Sequence, residues 1–259
     1  MSGAVVVGVG LAIYALRPAD AGAPFYAALL FGAAALWWLA ALVYASIAEA
    51  PGETGGGGNA AAAAVKSLGL LARDHPFRRF VVTRALLISS ALAAPYYVLL
   101  AQRSSGGSAS VLGLVILAGG LASSFSAPTW GRLADRSSSR VLLLAATFTG
   151  ALGIGVFCLE RTLAGDLPIW IYPAAFMLLE VAHAGIRLGR KTYLVDMAGG
   201  NKRTDYVAVS NTVIGVILLV GGGAVAALSF LSPEALILVL AGTTLTGALC
   251  GLGLPEVQG

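Results

Sequence analysis

The chain has 259 residues, of which 58% are apolar, 11% are charged and 34 are glycine, with a mean hydropathy of +0.87. A soluble domain carries roughly a quarter charged residues, so this chain cannot cover its own surface with polar groups, and a soluble fold is excluded. The net charge of +4 would suggest a nucleic-acid partner in a soluble protein. In a chain this apolar the positions of the basic residues carry the meaning, and no nucleic acid is expected.

Eight apolar runs bounded by Gly, Pro or charge follow one another at roughly 3–17, 24–48, 79–102, 108–128, 140–159, 167–187, 206–231 and 233–254. All but the first are long enough to cross a bilayer as helix, and the chain reads as an all-α, polytopic integral membrane protein of about eight transmembrane helices. The first run lacks the basic n-region and the A-x-A site of a signal peptide, and it is expected to be a helix clipped at its start. When the loops are assigned to alternating sides, thirteen Lys and Arg fall on one side and only Arg17, Arg103 and Arg161 on the other. A miscounted span would swap every later loop, so both termini are expected to be cytoplasmic and the protein to lie in the cell (inner) membrane.

Residues 49–78 form the long polar interruption. They open with the flexible run Pro51 to Gly58 and separate two spans at 1–48 from six at 79–259. Within the interruption, Val65, Leu68 and Leu71 lie at helical spacing against Lys66 and Arg73, and His75-Pro76 is expected to end the segment. Both a helix on the membrane surface and an Ala-rich solvated connector fit.

Between the fourth and fifth spans the sequence reads Trp130-Gly131-Arg132-Leu133-Ala134-Asp135-Arg136-Ser137-Ser138-Ser139-Arg140. This is a tight basic turn in which Gly131 is expected to allow close backbone approach and Asp135 to cap a helix or to pair with Arg136 or Arg140. The string resembles the loop signature G-x-L-a-D-r-x-G-r-k of the major facilitator superfamily, matched by Gly131, Leu133, Ala134, Asp135, Arg136 and the basic Arg140. Ser138 and Ser139 stand where the signature has its second Gly and its next basic residue.

The resemblance implies that the eight spans correspond to helices five to twelve of a twelve-helix transporter. Residues 1–48 would be the last two helices of an N-terminal bundle, 49–78 the central cytoplasmic linker and 79–259 a six-helix C-terminal bundle. It further implies transport of a small solute by alternating access, driven by an ion gradient, with the 131–140 loop as a cytoplasmic gate. The alternative expectation is a truncated or partner-dependent membrane fragment without transport of its own, completed by a second protomer or by further N-terminal helices.

Ionisable groups inside a span are costly and are the default site candidates. Glu180, His183 and Arg187 share one face of the sixth span. One reading gives Glu180 or His183 a proton, or a charged substrate group, to bind and release; the other joins Glu180 and Arg187 in a static network bridged by His183. Arg84 reads as a side chain snorkelling to the interface, with a substrate-anion contact as the sharper alternative. Tyr96 is expected in an aromatic belt, and Tyr97, on the face of Thr83, Ser90 and Ala94, is a candidate cavity residue. Ser210 and Asn211 are expected to hydrogen bond across helices or to substrate, Gly221 to Gly223 to pack tightly, and 187–205 to form a basic loop that contacts membrane lipid.

No G-x-x-x-x-G-K-[ST], H-E-x-x-H or G-x-S-x-G string occurs, so neither a nucleotide-driven pump nor an enzyme is expected, and no cofactor. Cys158 and Cys250 lie within apolar runs and read as packing residues, not as metal ligands or a disulfide framework.

Overall fold

A computed structural model describes residues 22–47, 68–163, 167–198, 203–228 and 230–257. The apolar run at 3–17, the Gly-rich run at 51–58 and the first part of the 60–74 segment lie outside the described residues. Nine helices are present among those described: α1 (Ala23–Ala45), α2 (Leu70–Arg73), α3 (His75–Leu86), α4 (Ser89–Ser104), α5 (Ala109–Ala134), α6 (Ser138–Thr162), α7 (Ile171–Met197), α8 (Arg203–Ala227) and α9 (Pro233–Gly251). With α3 and α4 taken as one broken span, seven segments are long and apolar enough to cross a membrane.

Helix is the form that satisfies every backbone N–H and C=O within an apolar segment, and the breaks between helices fall where side chains intervene. Asp74 adopts an extended conformation, and its carboxylate accepts from the Phe77 amide at 3.0 Å as the N-cap of α3. The third span thus starts at His75, four residues before the sequence suggested, with Pro76 in the first turn, where its missing N–H costs nothing. The span is interrupted at Leu87 and Ile88, where the Ser89 and Ser90 hydroxyls donate to the Leu86 and Leu87 carbonyls at 2.6 and 2.7 Å. Ser137 caps α6 by accepting from the Arg140 amide at 3.2 Å, and Ser232 caps α9.

Helix α6 packs between α7 and α9, α5 lies along α7, α4 contacts α9 and α7, and α8 lies against α3 and α7. Two apolar clusters fill the bundle. One gathers Phe77, Phe80, Leu142, Ile186, Tyr193 and Tyr206 at the end rich in Arg and Lys; here Phe77 stacks on Tyr206 at 4.3 Å and Phe80 on Tyr193 at 5.3 Å between ring centroids. The other gathers Ala93, Leu100, Val111, Val156, Leu179 and Ile237 nearer the opposite end.

Close helix contact is set by glycines other than the ones expected. A Cβ at Gly185 would lie 2.6 Å from the Trp130 ring, and one at Gly189 2.9 Å from the Leu142 amide nitrogen, so α7 takes in the Trp130 ring of α5 at the first glycine and meets the backbone of α6 at the second. Gly131, by contrast, has open space where a Cβ would stand and carries no close approach. Gly222 and Gly223 also face open space, and Gly221 is only 3.8 Å from Leu92 by the same measure, so the expected tight packing along 221–223 is absent. Helix α1 buries none of its membrane-length segment and exposes Leu30, Phe31, Trp37 and Trp38.

Candidate functional site

The basic residues expected in a loop over 187–205 are largely helical, because α7 continues to Met197 and α8 begins at Arg203. Arg190 therefore joins Glu180, His183 and Arg187 on one stripe, since positions i, i+3, i+7 and i+10 recur on one side of a 3.6-residue helix. Arg84 lies nine residues into α3, Arg187 and Arg190 lie ten and seven residues before Met197, and Asn211 lies eight residues into α8. At 1.5 Å per residue, all four stand about 10–15 Å in from the basic end of the bundle.

Packing of α3 against α8 brings two sequence candidates together. Arg84 Nη1 donates to Ser210 Oγ at 2.5 Å, and Nη2 donates to Asn211 Oδ1 at 2.9 Å. The snorkelling expected of Arg84 is therefore not what is observed: its head turns to α8 because two acceptors stand at its own depth. Its Nε is buried without a hydrogen-bond partner among the described residues. Ser210 and Asn211 thus bond across helices, with Ser210 buried and Asn211 on the exposed side.

On α7, the His183 Nδ1 is 2.9 Å from Ser90 Oγ on α4, at the second turn after the break in the span. His183 is held by α4 and does not bridge Glu180 to Arg187, as a static network would require. Glu180 is half-buried, makes no hydrogen bond to a described residue, and has Arg187 as its electrostatic neighbour. Arg190 lies within electrostatic range of both Arg84 and Arg187, so among the described residues three guanidinium groups share this region with the Glu180 carboxylate. Tyr97 sits away from this group, buried with Ala93, Leu179, Ile237 and Leu240. Tyr96 is half-buried against the same cluster.

The 131–140 loop is short. Gly131 and Leu133 lie in the last turn of α5, Asp135 and Arg136 in the turn itself, and Arg140 in the first turn of α6. Asp135 is exposed and leaves the cap of α6 to Ser137. The contacts come from residues beside the matched positions. Trp130 Nε1 donates to the Val181 carbonyl of α7 at 2.7 Å. Ser137 and Ser139 donate to the two carboxylate oxygens of Glu256, beyond α9, at 2.6 and 3.0 Å. Ser138 donates to Asp196 at 3.3 Å, and the Tyr193 hydroxyl donates to the Pro255 carbonyl at 2.9 Å. Outside the spans, the hydrogen bond from Ser137 holds the Glu256 carboxyl below its ordinary range, opposed by burial and helped by the hydrogen bond from Ser139 and the charge of Arg140.

Sequence reasoning missed Ser90, Trp130, Ser137, Ser139, Arg190 and Glu256. Ser138 and Ser139, where the loop departs from its signature, are the visible pointers to the Asp196 and Glu256 contacts.

An all-helical bundle of membrane-length segments, with titratable groups on one side of α7, defines a multi-pass membrane protein. The Major Facilitator Superfamily family profile matches residues 80–258, about two-thirds of the chain, and the chain belongs to that superfamily of membrane transporters. It is accordingly a major facilitator-type transporter, in contact with lipid and acting on a small molecule. Comparison with curated proteins and with solved structures gave no match.

Proposed function

We propose that the protein carries a small polar or amphipathic solute across the cell membrane by alternating access coupled to a proton gradient, with Glu180 as the proton-coupling group and His183 as its companion on α7. The observation that supports this reading is the Glu180 carboxyl itself. It is half-buried in a span without a hydrogen bond to a described residue, beside a histidine that a second helix holds in place. A carboxyl so placed can exchange a proton when access changes, whereas a structural carboxyl at that depth would be satisfied by donors.

In this reading Arg187, Arg84 and Asn211 line the solute side, and Tyr97 supports it from the core. Gly131, Leu133, Asp135, Arg136 and Arg140 gate the cytoplasmic face, where both termini lie. Residues 79–259 act as one bundle, joined through 49–78 to the helices in 1–48. Because Arg187 and Asn211 are exposed on the outside of the described bundle, the pathway closes against another bundle, in the same polypeptide or in a second protomer.

The test is proton movement in proteoliposomes that hold the purified chain and a pH-sensitive dye in the lumen. Solutes that acidify or alkalinise the lumen should do so with the parent chain and fail with E180Q, while E180Q still exchanges solute against solute. Coupling unchanged in E180Q removes Glu180 from the role, and no flux from the parent chain alone assigns the pathway to a partner.

A further inference from the structure

We propose that Arg84, Ser210, Asn211 and Arg190 form a binding site for the anionic group, carboxylate or phosphate, of the transported solute; the proposal rests on the transporter reading above and supplies its substrate class. The geometry points there in three ways.

The first is charge. Arg190 lies within electrostatic range of both Arg84 on α3 and Arg187 on α7, and among the described residues Glu180, beside Arg187, is the carboxylate that meets this group. The remaining contacts of Arg84 are neutral, a hydroxyl and an amide oxygen, which orient a guanidinium without compensating it. Surplus positive charge about 10–15 Å inside the apolar bundle is costly unless an anion shares the site for part of the cycle.

The second is shape. Ser210 and Asn211 fix the two terminal nitrogens of Arg84, so the plane of the guanidinium is set by α8. A planar fork held in this way is suited to an oxygen acid, and Arg84 keeps a buried Nε with no partner among the described residues. Arg190, on the neighbouring helix, makes no hydrogen bond or ion pair with a described residue. It stands as a second positive group facing Arg84.

The third is location. Asn211 and Arg187 lie on the exposed side of the bundle, at the depth of Arg84, so the group is reached from outside the α3–α9 core. A lipid headgroup stays at the interface, whereas a solute anion can descend to this level, which favours the solute over the headgroup as the source of the charge.

The experiment is ligand-dependent thermal stabilisation and direct binding of the purified full chain in neutral detergent. Acetate, benzoate and succinate are each compared with the corresponding amide, and inorganic phosphate with sodium chloride at equal ionic strength. At least one anion should stabilise the chain where its neutral counterpart does not, and R84Q and R190Q should each weaken that anion roughly tenfold or more. R84K, which keeps the charge but loses the fork, should fall between. R190Q carries the test if R84Q fails to fold, since Arg190 holds no structural hydrogen bond among the described residues.

Equal stabilisation by acids and amides overturns the proposal, as does anion binding indifferent to R84Q and R190Q. If nanodiscs containing phosphatidylglycerol reproduce the effect and displace the soluble anions, the site belongs to a lipid headgroup and the solute assignment is overturned. Binding is read here without a membrane gradient, so its failure leaves coupling through Glu180 standing, and loss of coupling leaves the anion site standing.

Discussion

The Ser137 hydroxyl donates to a carboxylate oxygen of Glu256 at 2.6 Å, joining the turn between α5 and α6 to the segment after α9 across 119 residues of sequence. Ser139 holds the other oxygen, so the carboxylate is gripped by two buried hydroxyls although Glu256 itself is exposed. The bonds favour the charged form and lower its folded-state value below the ordinary 4.5. A depressed carboxyl stabilises the fold above its unfolded value and loses that contribution as pH falls through the folded one. The parent chain should therefore lose thermal stability in detergent below about pH 4.5 more steeply than E256Q does, with a difference at neutral pH under about 1 kcal/mol because the group is exposed. Superimposable acid limbs for the two proteins would show that the contact adds nothing.

Gly189 and Gly131 should respond oppositely to alanine. The new methyl at Gly189 would stand 2.9 Å from the Leu142 amide nitrogen, a backbone atom that cannot turn aside, whereas at Gly131 it meets open space. G189A is expected to cost roughly 1–3 kcal/mol, seen as a lower unfolding temperature and poorer monodispersity in detergent. G131A should be neutral or slightly stabilising, since alanine is the better helix former. Equal behaviour of the two variants would mean that α7 and α6 are not in backbone contact at this point.

Much of this architecture is legible in the sequence because a membrane span announces itself by length and hydropathy, and the expected runs from 79 onward each fall on α3 to α9, although α5 and α7 run six and ten residues past the expected ends. The errors concern ends and partners. The charge density of Arg190 and Lys191 suggests a loop, yet both stand on a helix that continues to Met197, Lys191 exposed and Arg190 half-buried beside Arg84. Arg84 was visible as a charge in a span, but its attachment to Ser210 and Asn211 depends on the register of α3 against α8, which no local pattern encodes. The same holds for Trp130 on Val181 and for Glu256 under the serines, where the partners are far apart in sequence and neither carries a periodic signature.

Thr83 is fully buried, and its hydroxyl is without a hydrogen-bond partner among the described residues. An unmade hydrogen bond in an apolar interior is a cost, so replacing the hydroxyl by a methyl of nearly the same size removes the cost without opening a cavity. T83V should therefore leave the unfolding temperature unchanged or raise it, by an amount corresponding to about 1 kcal/mol. T83A, which removes the methyl that packs near Gly251, should lower it. A destabilised T83V would reveal a partner for the hydroxyl.

Trp130 both fills the space left by Gly185 and donates its indole N–H to the Val181 carbonyl at 2.7 Å, one turn before that glycine. The ring and the N–H are separable by mutation. W130F keeps most of the apolar contact and loses the donor, so it should cost about 1 kcal/mol, the usual worth of one hydrogen bond. W130A loses both and should cost roughly 3–5 kcal/mol if the bundle does not collapse around the gap. Because Trp130 lies near the end of α5, one residue before the 131–140 segment, and Val181 adjoins Glu180, the hydrogen bond couples that segment mechanically to the stripe on α7. W130F should consequently alter the rate of proton-coupled flux in proteoliposomes more than its small stability loss would explain. A flux change no larger than that of a stability-matched control such as T83A would reduce Trp130 to a packing residue.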